Sequence, residues 1–424
     1  MDRKGVRGWL LYDWANSAFA TTMMAAVLPI YYNEVAAAGL PGHTGETYWG
    51  YTQSIAMLLI AVLSPILGAI ADHTGTKLKF LLAFTVIGSA ASAATALVGE
   101  GDWLLCSALL VVGTIGFTCG NTFYDALLAD GVPPERRDVV SAQGYAYGYL
   151  GGGLLLLLNV VMIEGWEALG FPSKTFATRI VFVMVGIWWL LFAIPIFRWV
   201  KEPARSRGEG AAAAVRNGLT RLAGTFRSLR KYPELLKYMA SFWFFNDGIN
   251  TVIVMATIYG NGIGIGTTDL IVALLLTQII GFPSTLLFGK FAVKYGSKRM
   301  LYGSLLVYMF IVGLGYFMTT GWQFYALAIM VGLVQGGSQA VSRSIYASML
   351  PPSRTGEFFG FLSFSSKFSA IAGPLAFSVV ATITGSSRFG ILTLLAFFLI
   401  GIVLLRFVDL GKGALQAREA DGIG

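Results

Sequence analysis

Apolar residues in this chain run in long blocks of similar length, separated by short polar breaks. A helix rises about 1.5 Å per residue and the hydrocarbon core of a bilayer is about 30 Å thick, so a block of about 20 apolar residues can cross it. Such blocks lie at 9–33, 48–71, 79–98, 102–129, 139–164 and 176–199. After a polar stretch they resume at 234–259, 268–293, 298–319, 322–350, 357–383 and 388–408. The pattern predicts an all-α polytopic membrane protein with twelve transmembrane helices in two pseudo-symmetric halves. An N-terminal six-helix bundle is expected over 1–199, a cytoplasmic linker over 200–233 and a C-terminal six-helix bundle over 234–424. In the linker, Val215, Leu219, Leu222, Phe226 and Leu229 recur at helical spacing among Arg216, Arg221, Arg227 and Arg230, which predicts an amphipathic helix on an anionic membrane surface.

Composition agrees with the pattern. The 424 residues are 56% hydrophobic and 12% charged, whereas about a quarter of the residues of a soluble domain are charged. A formal charge of +8 could suggest nucleic acid, but the basic residues sit in short breaks between apolar blocks, so no nucleic-acid partner is expected. They set orientation instead. Of the 30 Lys and Arg, Arg343 and Lys367 fall inside spans and Lys174, Arg179 and Arg388 flank one side; all the others flank the opposite side. That side is the cytoplasm, and it receives both termini and the linker. The start, Met1 to Lys4 followed by an apolar run, superficially resembles a secretory leader. Asp13 interrupts that run, which continues to Tyr32, so cleavage is not expected. Cys106 and Cys119, thirteen residues apart on one predicted helix, are about 20 Å from each other and cannot pair.

The halves echo one another. Asp13-Trp14-Ala15-Asn16-Ser17 returns as Asp247-Gly248-Ile249-Asn250-Thr251, in each case early in an apolar block. Acid and amide three apart share a helix face. Gly68 to Gly75 and Gly289 to Gly296 have equal spacing, each followed by a lysine, Lys77 or Lys298. Pro133-Pro134-Glu135-Arg136 matches Pro351-Pro352-Ser353-Arg354 at an offset of 218. Two-half repeats are common in secondary transporters, whose sites lie between the repeats.

Chemistry is confined to a few residues. No Gly-rich phosphate loop, His/Cys metal cluster or nucleophile beside a base is present, so neither an enzyme, a metal nor a cofactor is expected. The charges inside spans are Asp13, Asp125, Asp247, Arg343 and Lys367, the first four on the first, fourth, seventh and tenth spans in order. Ionisable groups in a bilayer are costly and are kept for a purpose. Each alone could be a structural ion pair; as an amphoteric set they point to a solute site. Asn16, Asn250, Asn121 and Gln339 join them as uncharged polar groups, and Asn121 and Gln339 again differ by 218. Asp125 and Arg343 also differ by 218 and lie at equivalent depths, which predicts a pairing that acts as a gate; direct capture of a solute carboxylate by Arg343 is the alternative. Aromatic residues Tyr12, Trp14, Trp243, Phe244 and Phe245 either line a pocket or mark the membrane interface. The run Gly144, Gly148, Gly151, Gly152 and Gly153 predicts close helix packing rather than a ligand role.

The motif from Gly68 through Asp72 and Gly75 to Lys77, together with twelve spans in two halves, resembles the major facilitator superfamily and its signature loop, with His73 and Thr76 where basic residues are usual. YDWANSAFATT at 12–22, TFYDALL at 122–128, GYAYGYLGGG at 144–153, NDGINT at 246–251, GGSQAVSRS at 336–344 and EFFGF at 357–361 resemble the autophagy-related vacuolar amino-acid effluxers and their bacterial relatives. The resemblance implies that the first, fourth, seventh and tenth spans line a central cavity and that Gly68, Asp72, Gly75 and Lys77 form a conformational loop. The function expected is secondary transport of a small polar solute, an amino acid in the named members, by alternating access with protons as the coupling ion through Asp13 or Asp247. A monomer in the cell membrane, with lipids as its other partners, is expected. A non-transporting receptor or scaffold on the same fold and a lipid or drug exporter are the alternatives; the exporter calls for a more apolar cavity than these residues make.

Overall fold

The computed structural model describes residues 1–40, 44–202, 229–262, 265, 267–369 and 372–420. The predicted linker helix falls almost wholly at 203–228, outside the described residues. Each predicted span is helical among the described residues. The first comprises α1 (Arg3–Ala18), a π-helical stretch (Phe19–Ala26), α2 (Val27–Tyr31) and a second π-helical stretch (Tyr32–Ala36). It is followed by α3 (Thr44–Thr74), α4 (Lys77–Ala94), α5 (Trp103–Gly131), α6 (Pro134–Glu164) and α7 (Lys174–Trp199). Beyond the linker lie α8 (Pro233–Gly262), α9 (Thr267–Tyr295), α10 (Ser297–Phe317) and α11 (Gly321–Ser348). The eleventh span is described in two parts, α12 (Thr355–Ser369) and α13 (Ala372–Thr384), with 370 and 371 outside the described residues; α14 (Ser387–Arg406) and a short α15 (Leu410–Ala420) follow.

Local chemistry sets several boundaries. Asp2 caps α1 by accepting from Gly5 N at 2.7 Å, Ser173 caps α7 through Phe176 N, and Thr320 with Gln323 forms a capping box on α11. Gly75 and Gly296 take φ of +61° and +92°, the left-handed region that glycine enters without strain, and each ends a helix just before the next begins.

Nine helices among the described residues are long and apolar enough to cross a membrane. Of the spans outside that set, the first and seventh carry the buried carboxylates Asp13 and Asp247, and the eleventh includes residues 370 and 371, which are not described. Leu58, Leu104, Ile187, Ile279 and Phe310 are more than half exposed, an apolar exterior that suits lipid and would be a liability in water.

Packing groups the chain into two compact units. One holds Met1–Ser64, Gly75–Tyr124 and Tyr147–Ala204; the other holds Pro65–Thr74, Asp125–Ala146 and Arg205–Gly424. In the first, α7 packs on α1 and α4 around Trp9, Tyr12, Phe19 and Trp189, and glycines allow close approach: a Cβ on Gly186 would lie 2.5 Å from Ser89 O. In the second, α11 packs on α9 and α10, and α14 on α8 and α13, over a core that includes Tyr238, Phe245, Tyr308 and Phe398. The second unit also takes in the basic-loop ends of the second, fourth and fifth spans.

Candidate functional site

In the first unit, Asp13 is 9% exposed and accepts from the Tyr124 hydroxyl at 3.1 Å through Oδ2. That tyrosine is itself held. Its ring stacks on Trp9 at 4.3 Å with 8° between the planes, and Trp9 Nε1 donates to the Tyr124 carbonyl at 2.9 Å. One turn along α1, Asn16 Nδ2 donates to Asn121 Oδ1 at 2.6 Å. The acid and amide three residues apart therefore both face α5, as their spacing predicts, and Asn121 joins them.

The opposite flank of Asp13 is a glycine. A Cβ built on Gly148 of α6 would lie 2.6 Å from Ser17 Oγ and 3.3 Å from Asp13 Oδ1, and one on Gly151 would lie 2.5 Å from the Trp14 carbonyl. The glycine run thus brings α6 against α1, as expected from its spacing. Beyond it the first span is π-helical; Thr21 Oγ1 donates to Gly152 O at 3.2 Å and Asn159 Nδ2 to Thr22 Oγ1 at 2.9 Å. Nothing in the composition of Phe19–Ala26 signals that change of helix type.

The second unit repeats the arrangement with different atoms. Asp247 of α8 is buried, and its Oδ2 accepts from Gly373 N of α13 at 2.7 Å. Thr251 Oγ1 donates to Asp247 Oδ1 at 3.4 Å. A Cβ on Gly373 would lie 2.1 Å from Thr251 Oγ1 and 2.8 Å from Asp247 Oδ1. In each unit an acid with a hydroxyl residue four positions on is seated against a glycine of the neighbouring helix. Asn250 is half-buried on α8, and Lys367 lies in α12 with its side chain outside the described residues.

Asp125 and Arg343 meet. Arg343, 6% exposed, donates from Nη1 to Asp125 Oδ1 at 2.9 Å. Its remaining contacts are as specific: Nε donates to Ser141 Oγ and Nη2 to Ser141 O, both at 2.9 Å, and the guanidinium carbon lies 4.4 Å from the centre of the Tyr145 ring. Ser141 Oγ in turn donates to Ala340 O at 2.8 Å. Gln339, half-buried, stands one turn before Arg343 on α11. The signature loop is engaged at the same end of the helices. Asp72 Oδ2 accepts from Glu357 N at 2.7 Å, and a Cβ on Gly68 would lie 2.3 Å from Gly356 O, so backbone meets backbone there. Gly75 makes the turn, and Lys77 is buried at the start of α4. His73, read from sequence as a loop residue, is in the last turn of α3.

The aromatic candidates serve packing. Tyr12 is buried with its hydroxyl against Thr85 Oγ1, Phe245 is core, Trp14 stacks on Trp188, and Trp243 donates to Ser365 O from an exposed position. Sequence reasoning missed Tyr124, Ser141, Tyr145 and Gly373. Tyr124 and Tyr145 lie within the TFYDALL and GYAYGYLGGG motifs, whereas Ser141 and Gly373 lie outside the recognised motifs and carried no signal.

The sequence profile of the family described as "Vacuole effluxer Atg22 like" matches residues 1–418. The uncharacterized MFS-type transporter YxiO of Bacillus subtilis (strain 168) is 38% identical over 96% of this chain and 95% of its own length. Autophagy-related protein 22 of Eremothecium gossypii is 24% identical over 99% of this chain and 94% of its own. Among solved structures, the proton:xylose symporter XylE superposes with a TM-score of 0.72 at 16% identity, covering 98% of this chain and 97% of that one. The human organic anion transporter MFSD10 superposes with a TM-score of 0.70 at 17% identity over 95% and 99%. At such identities the likeness speaks for the fold.

Proposed function

Since the chain belongs to the vacuole effluxer Atg22-like family of the major facilitator superfamily, we propose that this secondary transporter exports a small polar or zwitterionic solute, an amino acid foremost, by proton-coupled alternating access. The observation that carries the reading is the part-buried Asp125–Arg343 pair, which ties α5 to α11 at the end where the basic loops lie. An ion pair at that depth is a closure that can be made and broken, and its partner contacts at Ser141 make the closed form specific. Asp13 and Asp247 supply two buried carboxylates able to carry a proton, each beside a hydroxyl. Asn16, Asn121, Asn250 and Gln339 are assigned to the solute path, and Lys367 is retained from its position in the eleventh span. The description of the family as vacuole effluxers supports export, and the amphoteric set of Asp13, Asp247 and Arg343 suits an amino acid.

The Lys and Arg distribution supports a cell-membrane orientation with both termini cytoplasmic, six-helix bundles at 1–199 and 234–424 and a cytoplasmic linker at 200–233. The pair at Asp125 and Arg343 then closes the cytoplasmic side, with Gly68, Asp72, Gly75 and Lys77 as the adjoining conformational loop.

Counterflow in proteoliposomes with a panel of amino acids, peptides and sugars tests the substrate class. An amino-acid signal is expected; flux of none of them, with ligand still bound, would favour a receptor. For coupling, Asp13→Asn and Asp247→Asn keep shape and an acceptor oxygen. At least one is expected to lose gradient-driven accumulation by about tenfold or more while counterflow persists, the loss that removing one ionisable carrier group entails. Full accumulation in both single variants would remove these acids from the coupling role.

A further inference from the structure

The paired turns that follow the fourth and tenth spans contain a second set of contacts across the repeat. After Pro133-Pro134-Glu135-Arg136 comes Arg137, and after Pro351-Pro352-Ser353-Arg354 comes Thr355, again 218 positions on. Arg136 is exposed, whereas Arg137 folds back over helix ends. Its Nε donates to Val132 O at 3.0 Å and its Nη2 to Ala129 O at 2.7 Å, both at the end of α5. Its Nη1 donates to Ala347 O at 3.0 Å, in the last turn of α11. Thr355 is buried and donates from Oγ1 to Asp130 Oδ1 at 2.6 Å, in the last turn of α5. Ala129 and Ala347 are themselves related by the offset of 218, so each turn reaches the last turn of the other half's equivalent helix.

Carbonyls in the last turn of a helix have no partner within it, and a cation there is favoured by the dipole. Arg137 therefore satisfies two helix ends with one side chain. Those helices are the ones that carry Asp125 and Arg343 about one turn further in. Separation of α5 from α11 must break both the ion pair and the Arg137–Ala347 contact, while the Thr355–Asp130 bond ties the start of α12 to the same end of α5.

We propose that Arg137 and Thr355 are exchanged latches, positioning residues that hold the ends of α11 and α5 closed outside the Asp125–Arg343 pair. The proposal rests on the gate reading above, and it makes opening a concerted event because each half supplies one latch to the other.

Hydrogen–deuterium exchange on the full-length reconstituted protein tests it. Arg137→Ala and, separately, Thr355→Val should each raise exchange about tenfold, the scale expected from losing a hydrogen bond to a charged group. The rise should occur at both 125–142 and 340–358. Thr355→Ser, which keeps the hydroxyl, should restore native exchange at both segments. A rise confined to the segment that lost the contact would show a local structural role and overturn the latch. Thr355→Val is near-isosteric, so the question stays decidable if Arg137→Ala does not fold. Asp125→Ala run in parallel separates the two readings. If it opens both segments and the latch variants do not, the latch alone fails; if it opens neither, the gate itself fails.

Discussion

Replacing Arg343 by Ala is expected to abolish accumulation and to leave the basic-loop ends of α5 and α11 apart, a larger effect than replacing Asp125 by Ala. The difference follows from the contact sets. Arg343→Ala removes the ion pair, both bonds to Ser141 and the Tyr145 face at once, and leaves the Asp125 carboxylate without its cation. Three hydrogen bonds of a guanidinium that is 6% exposed are lost together, at about 1.5–3 kcal/mol for each bond to a charged group, which is about a hundredfold or more in a two-state equilibrium. Asp125→Ala leaves Arg343 with Ser141 and Tyr145, and the Asp125 side chain is 26% exposed, so water already shares its charge. Its effect should be nearer tenfold. Accessibility of the 125–142 segment in each variant measures the shift.

Exchanging the charges, Asp125→Arg with Arg343→Asp, separates a gate from a solute ligand. A gate regains its ion pair, so transport should return in part. Recovery should stay incomplete because a carboxylate at 343 would face the Ser141 carbonyl, acceptor against acceptor, and the electron-rich Tyr145 ring. If the exchanged protein is as inactive as Arg343→Ala and no longer binds the solute, Arg343 is a solute-binding residue and the gate is lost as an explanation.

The offset of 218 that singled out Asp125 and Arg343 is sequence information, and so is the spacing that turns Asp13 and Asn16 to one face. Helix positions were legible because a bilayer imposes one length on every apolar block. Side chain to backbone contacts between helices leave no such trace. Arg136 and Arg137 count equally as orienting charges, yet one is exposed and the other joins two helix ends. Ser141 is one hydroxyl among many until its carbonyl and Oγ are seen to take two donors of Arg343. A glycine in an apolar run is equally ambiguous. Gly148 belonged to a spacing pattern that could be read as packing, whereas Gly373 has no such neighbours, and its role emerges only where its N–H donates to Asp247.

Alanine at Gly373 is expected to destabilise the protein and remove gradient-driven accumulation, although in an unconstrained helix the same change would stabilise by about 1 kcal/mol. The added methyl would stand 2.1 Å from Thr251 Oγ1 and 3.1 Å from Thr251 Cβ. Rotation of Thr251 offers little relief, because its β-branched side chain would bring a methyl to the same place. The helices must part, the Gly373 N to Asp247 bond lengthens, and the overpacking costs about 1–3 kcal/mol. Gly148→Ala should be milder, since Ser17 Oγ at 2.6 Å is one atom on a rotatable side chain and Asp13 Oδ1 is at 3.3 Å. The distinguishing measurement is the double variant Gly373→Ala with Thr251→Ala, which removes the nearest obstruction and leaves Asp247 Oδ1 at 2.8 Å as the closest remaining one. Its melting temperature in detergent should rise part of the way back towards the native value, since the contact with Asp247 Oδ1 stays, and accumulation should recover in part with it if Asp247 works from its seat on α13. Should the melting temperature recover without accumulation, Thr251 takes part in coupling itself; if neither recovers, Gly373 is needed for a reason other than room for the acid and its hydroxyl.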